Sequence, residues 1–165
     1  MTSKIKRNSD MSTHKNAEKY FMNSLKLFSK GKVEEAKKEA SKAIKLDRSL
    51  YSGYELLGWI HLGENSYKEA EEYFSTAYSL IYKQAKTMSF NKAMDTFQMG
   101  LSGNLVFMHF ASGMHSWMGN RLDEAEASFK SAIKWVNSQN GFIEFMEKII
   151  DLVRINKKFV NLFKA

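Results

Sequence analysis

Between Tyr51 and Leu80 two amphipathic runs meet at a polar break, Gly63-Glu64-Asn65-Ser66, and that arrangement restricts the stretch to a helical hairpin. Tyr54, Leu57, Gly58 and His61 share one helical face through spacings of three and four, and Tyr67, Ala70, Phe74 and Ala77 share another. Gly58 and Ala70 are small where bulk is expected. Small residues on facing helices let two backbones approach closely while larger neighbours fill the space around them. The second run recurs upstream, where Gly31-Lys32-Val33-Glu34-Glu35-Ala36 is followed by Ala40, Ala43, Ile44 and Leu46. Ala36 and Ala70 lie 70 − 36 = 34 residues apart. A third copy follows downstream as Asn120-Arg121-Leu122-Asp123-Glu124-Ala125, then Phe129, Ala132 and Ile133. A lone hairpin leaves a face uncovered, so units of this kind stack.

The residue order (an aromatic, Leu-Gly three positions on, then small-x-x-x-aromatic-x-x-small) and the 34-residue period resemble the tetratricopeptide repeat, TPR. The resemblance covers residues 17–82 well and 105–136 in part. It implies an all-α, right-handed superhelix of three helix-turn-helix hairpins with a C-terminal capping helix. The expected boundaries are a basic, disordered segment at 1–14 and one domain at 15–165. Within the domain the repeats fall at about 17–50, 51–83 and 105–138, with the capping helix at 141–163. In the first repeat, helix A is expected near 16–30, with Tyr20 and Ser24 at the aromatic and small positions. Asn23 stands where leucine is usual, and terminal repeats tend to be atypical because one face meets water. Ala70 and Ala125 are 55 residues apart, 21 more than one period. The excess falls at 84–104, where Phe90, Ala93, Met94, Phe97 and Leu101 keep helical spacing, and this predicts lengthened helices on either side.

The composition excludes several classes. The 165 residues contain no cysteine, hence no disulfide framework and no thiolate zinc site. No apolar run approaches the ~20 residues a membrane-spanning helix needs, and the basic start leads into no apolar stretch, so the expected location is cytoplasmic. His14, His61, His109 and His115 lack metal-ligand spacing; His61 and His109 occupy packing positions of the repeat and are expected to be partly buried and hydrogen-bonded. Glu34, Glu35, Glu69, Asp123 and Glu124 open second helices, where carboxylates complement the helix dipole. With no glycine-rich phosphate loop either, the expectation is a non-enzyme with no catalytic residue, metal or cofactor.

In TPR proteins helix A lines a concave groove. The resemblance assigns groove positions to Phe21, Leu25 and Phe28, to Glu55, Trp59 and Leu62, and to Phe110, Met114 and Trp117. Eight of these nine are apolar, and the lysine, arginine and asparagine that grip a terminal carboxylate in some TPR proteins are absent. Six of the ten methionines lie between 88 and 118 and add adaptable surface. The implied partner is a protein or peptide offering an apolar helix or extended segment with hydrophobic anchors. The implied role is adaptor, chaperone-like or assembly scaffold. In length and repeat number the chain is also similar to the small TPR chaperones of bacterial type III secretion, which tend to be acidic. The groove could instead be filled by the last helix, the inserted segment or another copy in a homo-oligomer. Residues 1–50 hold 13 Lys+Arg against 6 Asp+Glu, and 51–140 hold 7 against 9. Lys37, Lys38, Lys42 and Lys45 therefore form a basic stripe, and the alternative is binding to nucleic acid or an anionic membrane. No basic motif interleaved with aromatics supports nucleic acid.

Overall fold

The computed structural model describes residues 2–88, 102–136 and 140–162. Every element among them is an α-helix: α1 (Thr2–Phe28), α2 (Val33–Leu46), α3 (Tyr51–Gly63), α4 (Tyr67–Ala85), α5 (Ser102–Met118), α6 (Leu122–Lys134) and α7 (Asn140–Leu162). Helices α1/α2, α3/α4 and α5/α6 pack as three hairpins, α2 meets α3, α4 meets α5, and α7 closes on α6. This is the all-α TPR-like architecture that the resemblance implies.

The three hairpin turns are built alike. Gly31, Asn65 and Asn120 each adopt a left-handed backbone, with φ of 72°, 59° and 56°. The next residue's amide reaches back into the helix: Lys32 N to Leu27 O at 3.0 Å, Ser66 N to His61 O at 2.9 Å, Arg121 N to Ser116 O at 2.9 Å. The left-handed residue donates to the carbonyl three before it, Phe28, Leu62 or Trp117. This is the Schellman closure, which satisfies the last carbonyls of helix A. Glycine and asparagine tolerate the left-handed region that β-branched residues do not. The second helices open without a side-chain cap on α2, α4 or α6. Their first-turn acids complement the exposed amides instead.

Within each hairpin the helices touch through a small residue. An added Cβ on Gly58 would lie 2.9 Å from the Phe74 ring, and one on Gly113 would lie 2.5 Å from Phe129. Both rings are buried. The first hairpin departs from this pair, with buried Ser24 at the glycine position and buried Ala40 at the phenylalanine position. Ser24 Oγ donates to Phe21 O at 2.7 Å, which satisfies its buried hydroxyl. Around these contacts lie Leu56, Leu57 and Ile60 with Ala36 and Ala40, and then Leu122, Ala125, Phe129, Met146, Ile150 and Val153 where α7 packs on α6. Arg154 to Glu126 at 3.0 Å, and Lys157 to Asp123, join α7 to α6 at the rim.

Helix α1 begins at Thr2. No glycine or proline occurs before Gly31, and an established helix propagates through polar residues at little cost. His14 further on donates to the carboxylate of Asp47, just beyond α2. At the irregular junction α4 runs for 19 residues against 14 in α2 and 13 in α6. Helix α5 starts at Ser102. Phe90, Ala93, Met94, Phe97 and Leu101 lie outside the described residues.

The turn geometry makes Asn65→Gly neutral or stabilising, and Asn65→Val destabilising by about 1–2 kcal/mol. Urea unfolding checks both. Gly113→Ala is expected to destabilise by about 1–3 kcal/mol despite alanine's better helix propensity, because the Phe129 ring has no room to retreat. Adding Phe129→Leu to the same chain should recover part of that loss.

Candidate partner-binding site

Helices α1, α3 and α5 are the first helices of the three hairpins, and the nine expected groove positions fall on them. Three of these are open to solvent: Leu25 at 37%, Phe28 at 38% and Trp59 at 41% exposure. The other six are half-buried. Phe21 packs on Ala17, Ala43 and Leu50, and Leu62 packs on Ala70, Phe74 and Ala111. Phe110, Met114 and Trp117 pack on the cluster built from α6 and α7. The Phe110 ring lies 6.4 Å from Phe145 of α7, and Trp117 meets Phe129 edge-on at 6.4 Å. The nine therefore do not form one uniform surface. The third-repeat residues pack against the α6–α7 cluster, and the open apolar positions belong to α1 and α3.

Where α3 meets α5, two contacts connect the helices. Trp59 stands edge-on to Phe74, with centroids 5.6 Å apart at 87°, and its ring lies 4.1 Å from Phe107. Phe107 in turn sits 5.7 Å from Phe74, so three rings fasten the third repeat to the second. One turn before Trp59, Glu55 accepts a hydrogen bond from Asn104 Nδ2 at 2.6 Å. Asn104 lies three residues before Phe107 and is 4% exposed. Glu55 is half-buried, and desolvation pushes its carboxyl above the usual value, although Asn104 partly favours the charged form. Neither Phe107 nor Asn104 belongs to the nine predicted positions. Phe107 continues the spacing of Phe110, Met114 and Trp117 by one turn; pairing Asn104 with Glu55 needs two helices brought together across 49 residues.

The histidines behave differently from expectation in one respect. His61 is partly buried and stacks on Tyr73, with centroids 5.1 Å apart at 21°. Its Nδ1 is buried without a hydrogen bond and stands 3.6 Å from the Glu64 carboxylate, which instead takes Lys37 Nζ at 2.6 Å. The expected hydrogen bond is thus replaced by ring stacking. Burial, and then Lys37, push the imidazole pKa below its usual value. Burial also lowers that of His109. Among the described residues no cluster of His, Asp and Glu could hold a metal ion. No helix of the described residues is long and apolar enough to cross a membrane. The basic stripe of α2 is partly neutralised, with Lys37 on Glu64 and Lys42 on Glu39, each at 2.6 Å.

Residues 51–86, helices α3 and α4 with the turn between them, match the tetratricopeptide repeat family. The chain carries a tetratricopeptide repeat. The glycine-on-phenylalanine contact and the left-handed turn of this TPR recur in the third hairpin, and the first keeps the turn with Ser24 and Ala40 at the two positions. The TPR is a protein-interaction repeat. No curated protein significantly matches the chain.

Because its folded pKa is raised, the Glu55 carboxylate opposes folding once it is ionised. The effect is absent below the ordinary value of 4.5, grows as pH rises through it, and is complete above the raised value. Glu55→Gln, which retains an oxygen to accept from Asn104, should therefore raise the melting temperature at about pH 7. The gain should vanish by about pH 4, and thermal scans across that range measure it.

Proposed function

We propose that the chain is a non-catalytic protein-interaction module that holds an apolar helix or extended segment of a partner against α1 and α3, with α5 closing one side. The observation that carries this reading is Trp59, a large aromatic fixed on two sides by Phe74 and Phe107 yet 41% exposed on the inner helix of the matched repeat. A rigid aromatic held in place and left open has the character of a binding hot spot, since its ordering cost is already met. Leu25 and Phe28 extend the apolar strip onto α1. Such a surface suits an adaptor, chaperone-like or scaffold role.

A second reading has its own observation. Helix α7 buries Met146, Ile149, Ile150 and Val153 but leaves Leu152 and Ile155 about half exposed, a face through which copies of the chain could associate as a scaffold. Phosphate binding by the lysines of α2 has less support, because Lys37 and Lys42 already serve carboxylates.

The test is capture from the native cell with the wild type and with the fold-checked double variant Leu25→Glu plus Trp59→Glu, followed by titration of the captured protein. The expected partner is lost with the double variant. Trp59→Ala weakens it by about tenfold or more, and raising salt from 50 to 500 mM changes its affinity little. Equal capture by both proteins contradicts the groove. Strongly salt-sensitive binding indifferent to Trp59 returns the function to the basic face, and a concentration-dependent mass in light scattering favours self-association.

A further inference from the structure

Glu55 is the one charged member of an otherwise apolar inner strip, and its surroundings are unlike those of the outer carboxylates. Glu39, Glu64 and Glu126 each meet a lysine or arginine. Glu55 meets only the neutral amide of Asn104 among the described residues. A carboxylate removed from water and left without a counter-charge keeps an unmet electrostatic demand. Its helical neighbour one turn on is Trp59, whose ring is open to solvent, and an aromatic face attracts cations. Carboxylate and exposed indole thus lie side by side on the same strip of α3, backed by Asn104 and Phe107 from α5. The stretch 51–140 is also the acidic part of the chain, with 9 Asp+Glu against 7 Lys+Arg, while the excess positive charge resides at the ends.

We propose that the segment held by this site carries a lysine or arginine beside its apolar anchors, and that its cationic head sits between the Glu55 carboxylate and the Trp59 ring. This rests on the partner-holding function proposed above and specifies the chemistry of that partner. Selection comes from the contrast between ligands: a basic residue neutralises Glu55, whereas a wholly apolar segment would bury the carboxylate without compensation. An acidic segment would be repelled.

A displayed library of random twelve-residue peptides, selected on the full chain, tests it. Binders are sorted by sensitivity to Trp59→Ala and then measured against Glu55→Gln, with melting curves confirming that both variants fold. The expected result is that Trp59-dependent peptides are enriched in one Lys or Arg at a fixed distance from their apolar residues. Their affinity should fall about tenfold or more on Glu55→Gln, or when that basic residue is replaced by norleucine, the size of loss usual for a hydrogen bond to a charged group. Trp59-dependent peptides with no excess of basic residues, or binding unchanged by Glu55→Gln, overturn the inference and leave the apolar groove standing. If no peptide depends on Trp59, the groove itself is refuted and this inference falls with it.

Discussion

The contact on which the architecture depends is the approach of a first helix onto a second through a missing side chain. At Gly58 and Gly113 the absent Cβ lets a phenylalanine ring lie flush against backbone, so helix pairs dock at a distance bulkier residues would forbid. The first hairpin has Ser24 and Ala40 at the corresponding positions, both small and both buried. Because the close contact is used inside each hairpin, first-helix residues beside it are left to something else. Leu25, Phe28 and Trp59 remain exposed there. The functional proposal therefore grows out of the packing.

The junction between the second and third hairpins shows how a regular stack absorbs an irregular spacing. The chain between α4 and α5 departs from the 34-residue period, yet α5 docks on α4 directly, with Ala70, Phe74 and Ala111 forming the seam and Leu62, Phe107 and Met108 packed around it. What fixes the third repeat is this side-chain interlock. It also gives Trp59 its rigidity, since Phe107 reaches it from the far side of the junction. At the other end of the stack α7 packs on α6, and Phe110, Met114 and Trp117 of α5 lie half-buried against the cluster those two helices form.

Much of this was legible in the sequence, for a physical reason in each case. The second helices were readable because Ala36, Ala70 and Ala125 must be small and begin a fixed interval after a turn. The turn residues Gly31, Asn65 and Asn120 were visible as polar breaks, although their shared left-handed backbone became clear only in three dimensions. The nine expected groove positions lie on α1, α3 and α5. Which of them stay open could not be read, because that depends on distant neighbours, such as the α6–α7 cluster against which Phe110, Met114 and Trp117 pack. Phe107 and the Glu55–Asn104 pair were missed because each owes its meaning to a neighbour distant along the chain.

The central claim is that the inner side of α3 is uncovered in the free protein. Acrylamide quenching of Trp59 fluorescence tests it most directly, in a chain where Trp117 and Trp135 are replaced by phenylalanine. The account predicts that dilute, partner-free protein is readily quenched, as befits an indole held at 41% exposure. Quenching as weak as that of a fully interior tryptophan would contradict it, because the inner wall would then be covered by the chain itself or by a second copy.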